Sequence, residues 1–463
     1  MVTLNSTPLR FYNSSAAQAL QLLSQLKAHQ VLSNTDFALV QAKGLATILS
    51  HAFQFSKFWR GRLIDAGFDE KSPHKFTLTN LPPLSRETLR TQFEDLRARW
   101  SNCDADKIFT TASSGSTGQP VRVEKFGEHY RMLENALVLL ELDWFERDPG
   151  KTIAFLSPLI EVDQLFPTWG GIYQSMGFNG RYFKRSFAGQ TVASHLDWLL
   201  EIKPSYLKCS PYLAAQIAVL AIETGKQCSI DQIISMSESV SPQQRHLCLQ
   251  AFGAKIVDRY SSEETGMIAL QCPHHDHLHV TSSAVYVEIV NELGHACQKG
   301  EVGRVLVTVL QSFAMPIIRY DLGDMAEWGR ACDAAPNMPV LGKLWGRVRN
   351  KVNLPDGSSF PMSFLGDDLG HISSIREFRL KQYLGTEIEI ELVLTAPLTD
   401  FQLQLIAAIM KKIGLGALVI YLNSVPEILW AKGRKRHEFE QVNEYWQNRG
   451  STLKRLINLN LVG

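Results

Sequence analysis

The chain has 463 residues, more than one compact core holds, so two or three domains are expected. Hydrophobic residues make up 45% and charged residues 20%, and 47 Lys+Arg against 46 Asp+Glu leave a formal charge of +1. Nothing in that balance suggests a nucleic-acid face or an acidic tail, so an anionic ligand is expected to be met by a local site.

"MVTLNSTPLRFYNSS" has no basic stretch followed by an apolar run, so no signal peptide is expected. The first hundred residues read as helical, with apolar positions at three-and-four spacing in "AAQALQLLSQLKAH" and "ALVQAKGLATILSHAFQFSKFWRGRLIDAG". "LPPLSRETLR" adds a proline stop and a serine-led helix start. Strand and helix patterns then alternate: "TIAFLSP" (strand), "HLDWLLEIKP" (helix), "YLKCSP" (strand), "PYLAAQIAVLAIETG" (helix), "DQIISMSE" (strand), "SPQQRHLCLQAFG" (helix) and "KIVDRYSS" (strand). Such alternation predicts βαβ units on a parallel sheet with right-handed crossovers. The longest aliphatic run, "YLAAQIAVLAI", is too short to cross a bilayer and carries Gln216.

From about residue 278 the pattern turns β-rich: "AVYVEIVN", "GRVLVTVL", "MPIIRYDLGD". "GRVRNKVNLPDGSSF" reads as a strand pair around a Pro-Asp-Gly turn. "TEIEIELVLTA", "LTDFQLQLIAAIMKKIG" and "LVIYLNSV" read as a strand–helix–strand unit. The fold class is therefore α/β. A large N-terminal domain over 1–345, with a helical start over about 1–100, carries parallel-rich βαβ sheets and a β-rich subdomain. A small mobile α+β domain follows over 346–463. Seven cysteines, odd in number, scattered and never CxxC, argue against a disulfide framework and for a reducing cytoplasm.

Four loops carry chemistry-bearing residues. "TTASSGSTGQP" offers Ser113, Ser114, Gly115, Ser116, Thr117 and Gly118, whose hydroxyls and unobstructed backbone N–H groups suit phosphate oxygens. It is no Walker A loop, because no Gly-Lys-Ser/Thr follows, and taken alone it reads more simply as a mobile Ser/Gly surface connector. "DRYSSEETG" sets an aromatic ring, Tyr260, beside Glu263 and Glu264, a pattern for purine stacking and Mg²⁺ or simply for a solvated acidic helix start. Asp324 in "RYDLGD" suits a ribose diol, or is a charged turn. Arg347 in "LWGRVRNKV" suits a ribose or phosphate, or belongs to a basic edge strand.

In this order the four motifs resemble the adenylate-forming enzymes, the superfamily of acyl- and aryl-CoA ligases, peptide-synthetase adenylation domains and luciferases. The short forms "SSGSTGQP", "YSSEETG" and "RYDLGD" are most similar to the phenylacetate–CoA ligase and capsule-biosynthesis branch, and the resemblance spans roughly residues 80 to 440. It implies ATP- and Mg²⁺-dependent activation of a small carboxylic acid as an acyl-adenylate. The acyl group then passes to coenzyme A or to the phosphopantetheine of an acyl carrier protein. Carried over by position, residues 113–118 would cradle the ATP β- and γ-phosphates, Tyr260 would pack on adenine, and Glu264 would bind Mg²⁺, with Glu263 its rival. Asp324 would hold the ribose hydroxyls with Arg347 assisting, and Arg349 would be the hinge. The catalytic lysine would be Lys435, or Lys432, although the Gly-Lys pair common in relatives is here Gly433-Arg434.

The acid pocket is expected along 157–177 and 235–241, with Phe166, Trp169 and Tyr173 as flat walls suited to an aryl ring and Ser237 nearby. Core packing is the ordinary role of such aromatics, and no cluster of Lys or Arg stands out to receive a second carboxylate. "CPHHDHLHV" concentrates Cys272, His274, His275, Asp276, His277 and His279; the resemblance allows a metal near this loop, as in some relatives, but the run lacks the two separated ligand pairs of structural zinc sites, so a polar loop beside the active site is the better reading and zinc stays open. No G-x-S-x-G elbow or kinase loop is present. A non-catalytic nucleotide-binding protein of the same fold stays open, as does a homodimer.

Overall fold

The structure is a computed structural model that describes residues 14–101, 104–113, 120–158, 160–186, 190–236, 238–347, 351–361, 369, 372, 374–426, 428, 439–445 and 453–455. Its helices and strands run in the order α1 (Ser14–Gln30), α2 (Asn34–Phe55), α3 (Lys57–Asp65), α4 (Arg86–Thr91), α5 (Phe93–Leu96), β1 (Ile108–Ala112), β2 (Arg122–Phe126), α6 (Gly127–Trp144), β3 (Ile153–Ser157), β4 (Gln164–Phe166), α7 (Gly171–Ser175), β5 (Tyr182–Ser186), α8 (Val192–Ile202), β6 (Tyr206–Cys209), α9 (Pro211–Thr224), β7 (Gln232–Ser235), α10 (Pro242–Phe252) and β8 (Lys255–Val257). They continue with β9 (Arg259–Ser262), β10 (Gly266–Gln271), β11 (Leu278–Val280), β12 (Val285–Val290), β13 (Gly303–Val309), β14 (Tyr320–Trp328), β15 (Val340–Arg347), β16 (Lys351–Asn353), β17 (Ser359–Pro361), β18 (Ile375–Leu384), β19 (Glu387–Leu394), α11 (Asp400–Lys412), β20 (Val419–Ser424), β21 (Phe439–Tyr445) and β22 (Leu453–Arg455). Two compact units result, Met1–Glu238 with Cys248–Leu322 and Ala326–Leu344, and Ser239–Leu247 with Gly323–Met325 and Trp345–Gly463.

In the larger unit a six-stranded sheet has the order β4-β5-β3-β6-β7-β8, parallel throughout except for β4 on β5. The helix after β6 shows why its ends fall where they do. Ser210 caps the Leu213 N–H, Pro211 occupies the first turn, and Gly225 closes the helix at φ +66°. A seven-stranded sheet, order β12-β13-β14-β15-β11-β10-β9, packs its apolar side into a core that includes Trp59, Leu84, Leu137, Ile268, Val307 and Tyr320.

Two expected runs are broken. The helical run over 38–67 divides at Ser56, whose hydroxyl caps α3 and whose backbone bridges to Ala98. The run "KIVDRYSS" divides at Asp258, so β8 ends the six-stranded sheet and β9 edges the seven-stranded one. The smaller unit holds the Pro-Asp-Gly hairpin β16–β17 and a five-stranded sheet, order β21-β18-β19-β20-β22. There β19 and β20 run parallel on either side of α11, which a Thr399/Gln402 capping box starts. No described helix is long and apolar enough to cross a membrane.

Candidate active site

The glycine-rich loop joins β1 to β2, a hairpin in register from Ile108↔Phe126 to Ala112↔Arg122. At its open end the Ser113 N–H donates to the Val121 carbonyl at 2.9 Å, and the Ser113 hydroxyl accepts the Val121 N–H at 3.0 Å. That hydroxyl also accepts Arg86 Nη2 at 2.8 Å, while Arg86 Nη1 donates to Glu264 Oε1 at 2.9 Å. The Tyr320 hydroxyl donates to the same oxygen at 3.3 Å. One guanidinium therefore joins the base of the loop to the carboxylate between β9 and β10. Residues 114–118, five of the six assigned to phosphate binding, lie outside the described residues.

Arg86 is held by what precedes it. Ser85 caps α4 by accepting the Thr88 N–H at 3.0 Å. Leu84 pairs with Tyr320 as an added parallel strand, donating to the Arg319 carbonyl at 2.9 Å and accepting from Asp321 at 3.0 Å. Arg319 makes this possible from a left-handed backbone, φ +48°, which disfavours a side chain by about 1–2 kcal/mol. Its N–H donates to Thr308 Oγ1 at 2.9 Å, and its guanidinium pairs with Glu288 at 3.0 Å and donates to the Thr79 and Leu81 carbonyls. The first two residues of "RYDLGD" thus brace Arg86 and Glu264. Sequence reading missed Arg86, since an arginine opening a short helix carries no motif of its own.

Glu264 is buried, whereas Glu263 is exposed. Beneath their turn, Lys125 Nζ lies 4.0 Å from the Tyr130 ring centroid, and Glu134 Oε1 accepts the Met267 N–H at 3.3 Å. Burial holds Lys125 below its ordinary value against the pull of Glu134, Glu263 and Glu264, and burial pushes Glu134 up. Tyr260 sits in β9 with most of its surface in the core. Asp324 is half-buried in β14, four residues beyond Tyr320. The backbone of Arg347 ends β15, and its side chain is outside the description. Ser237, Arg349, Lys432 and Lys435 also lie outside the described residues.

The predicted aromatics stand at the six-stranded sheet. Trp169 packs edge-on to Tyr173 at 5.0 Å and to Tyr206 at 5.4 Å, and the exposed edge residue Phe166 lies 6.3 Å from Tyr182. On that face the strand register brings Lys184 and Lys208 to either side of Phe155. Lys208 Nζ is 5.0 Å from the Phe155 centroid, and Lys184 Nζ is 4.7 Å from that of Phe166. Two lysines 24 positions apart in sequence thus flank one aromatic residue, on the strands either side of β3.

Burial first, then Arg259 and Lys184, outweigh the attraction of Glu141 and bring the Lys208 ammonium down to about 8. Burial also pushes the Tyr173 hydroxyl up to about 12. Behind them Glu141, fully buried, pairs with Arg147 at 3.0 Å and with Arg259 through Nε at 2.7 Å. Burial opposes its charge, but the two guanidinium groups hold it down to about 2.

No family model and no curated protein matches the chain. Among solved structures it is similar to a 2-hydroxyisobutyryl-CoA ligase in the postadenylation state with an acyl-AMP, at TM-score 0.71 and 16% identity over 90% of this chain and 91% of that one. It is also similar to the anthranilate CoA ligase AuaEII in complex with anthranoyl-AMP (TM-score 0.53, 14% identity, 70% of this chain and 64% of that one). A third likeness is to the amide bond synthetase McbA from Marinactinospora thermotolerans (0.52, 13%, 73% and 70%). At these identities the likeness establishes the fold.

Proposed function

We propose that the protein activates a small carboxylic acid with ATP as the acyl-adenylate and passes the acyl group to a thiol, that of coenzyme A or of a carrier-protein phosphopantetheine. The observation that carries this reading is the Arg86 bridge between Ser113 and Glu264. The Ser113 hydroxyl accepts two hydrogen bonds, so its own proton is left to donate outward to a phosphate oxygen. Among the described residues both hydrogen bonds to Glu264 go to Oε1, which leaves Oε2, a hard oxygen ligand, to hold Mg²⁺. A bound Mg²⁺ would neutralise triphosphate charge. Arg86 then keeps loop and carboxylate at a fixed spacing, the kind of preorganisation that stabilises charge as it develops.

In the first half-reaction a carboxylate oxygen attacks the α-phosphorus and pyrophosphate leaves. In the second a thiolate attacks the acyl carbon and AMP leaves. The remaining assignments rest on the resemblance: Tyr260 at adenine, Asp324 and Arg347 at the ribose, Lys435 or Lys432 at the reacting carboxylate, and Arg349 at the hinge. The face bearing Phe155, Phe166, Trp169, Tyr173 and Tyr182 favours an aromatic acid, and Lys184 with Lys208 favours one carrying a second electron-rich or anionic group.

The test is acid-dependent pyrophosphate release from ATP and Mg²⁺. The panel is benzoates, phenylacetates and cinnamates, each with and without a second carboxylate or phenol, together with short fatty acids. Release with an aryl acid bearing such a group is expected. Protein that binds ATP yet releases nothing with any acid would overturn the assignment in favour of a non-catalytic nucleotide-binding protein, and release with fatty acids alone would overturn the aromatic preference.

A further inference from the structure

The turn that carries Glu264 is held from two directions, of which the Arg86 bridge is one. Within the turn the Ser262 hydroxyl accepts the Thr265 N–H at 3.1 Å and lies 2.9 Å from the Thr265 hydroxyl. The chain then enters β10 through Gly266, whose φ of +75° is the left-handed backbone that glycine adopts without strain. Immediately beyond, the β9–β10 register slips between Met267 and Ala269. A slip of this kind interrupts the ladder and re-aims the residues beside it, so the turn needs support from outside the hairpin.

The second direction is α6, 133 residues earlier in the chain. There Glu134 Oε1 accepts the Met267 N–H at 3.3 Å. A Cβ on Gly266 would stand 2.9 Å from that oxygen and 3.4 Å from the Tyr130 ring, so only bare backbone lets the helix come this near. Tyr130 and Glu134, four positions apart, share one face of α6. Lys125 Nζ rests over the Tyr130 ring at 4.0 Å, and burial holds its charge down against the attraction of Glu134, Glu263 and Glu264. Burial likewise pushes the Glu134 carboxyl up, while the Met267 N–H, Lys125 and Arg259 pull it back. A half-buried acid in the middle of a helix is costly unless its oxygens are used, and the use shown here is the turn.

Resting on the reading that Glu264 holds Mg²⁺, we propose that Glu134 is a positioning residue for that carboxylate, pinning the Met267 N–H so that the Glu264 turn keeps one shape whether or not the metal is bound. Arg86 and Tyr320 fix a side-chain oxygen of Glu264, and Glu134 fixes the backbone three positions on. A ligand oriented in advance at both points gives up little freedom when it meets the ion. Outer partners of this kind are worth about tenfold to a hundredfold in metal affinity. Glu134 acts through the turn alone, by accepting one hydrogen bond, so an uncharged acceptor of the same length should serve as well.

The test is ATP binding by calorimetry on the full chain, with no acid present and no turnover, in saturating Mg²⁺ and again in EDTA. The ratio of the two affinities measures the coupling between metal and nucleotide. Glu134→Leu is expected to shrink that ratio by about tenfold, and Glu134→Gln to keep it within about twofold of wild type. A residue that merely supported the fold would weaken ATP binding alike with and without metal. Should Glu134→Leu fail to fold, Gly266→Ala answers in its place, since its methyl group would displace Glu134 Oε1 and shrink the ratio with the acid still present. A wild type whose ATP affinity ignores Mg²⁺ overturns the metal reading of Glu264, and this proposal with it. A ratio present in wild type and unchanged in Glu134→Leu overturns the positioning role alone. So does an equal loss in Glu134→Gln, which would make charge, not the hydrogen bond, the cause.

Discussion

Lys208→Met separates charge from shape at the sheet face. Methionine retains the length and apolar stem of lysine and removes the ammonium, which burial together with Arg259 and Lys184 brings from 10.5 down to about 8. That displacement makes the charged form cost about 3 kcal/mol of folding stability at pH 7, at about 1.4 kcal/mol per pH unit. For a cation with a depressed folded value, the unfolded chain binds more protons between the two values. The penalty is therefore complete below pH 8 and disappears as pH rises toward 10.5. Thermal unfolding of both proteins from pH 6.5 to 10.5 should show the variant more stable near neutrality, with the difference closing above pH 8. In the pyrophosphate assay the same variant should lose preference for acids with a second anionic group. A stability difference that stays constant across the range would refute the reasoning, since it would mean that Lys208 titrates normally and that packing alone separates the two.

Other perturbations address the remaining contacts. Arg86→Met, which removes the positioning contact between Ser113 and Glu264, should lower acid-dependent pyrophosphate release by about a hundredfold, and Arg86→Lys, which keeps a cation beside Glu264, should lose less. Glu264→Gln should do likewise while Glu263→Gln stays within a few-fold of wild type, because the first carboxylate is buried in the Arg86–Tyr320 contacts and the second faces solvent. Equal losses in the two variants would transfer the metal role to the pair. Glu141→Gln, which leaves Arg147 and Arg259 without their shared partner, should destabilise the fold by about 3–5 kcal/mol in chemical unfolding. In wild type the stabilisation from Glu141, about 3 kcal/mol, is fully present above pH 4.5 and fades as pH falls toward 2, so acid unfolding should shift upward in pH in the variant.

Periodicity exposed the elements whose partners lie close in the chain. The alternation from β3 to α10 and the β19–α11–β20 unit follow from apolar spacing plus local caps such as Ser210 and Thr399. It failed where tertiary contact overrides a continuous pattern. The helix through Ser56 breaks because that residue bridges to Ala98, and the strand through Asp258 breaks because two sheets compete for it. Site residues divide in the same way. The hydroxyl and acidic loops were visible as composition, but Arg86, Lys208 and Glu134 owe their positions to contacts 27 to 178 residues away in the first case, a neighbouring strand in the second and a contact 133 residues on in the third.

The placement of Lys184 and Lys208 has an evolutionary reading. Both sit on strands fixed by backbone pairing, while the Ser113–Arg86–Glu264 contacts belong to the β1–β2 hairpin, α4 and the β9–β10 turn. Two codons can therefore drift without disturbing either the sheet ladder or the proposed phosphate-binding end. Under the proposed function, a descendant that exchanged both lysines for neutral residues would keep the same chemistry with a different acid, and a small saturation library at these two positions tests that divergence.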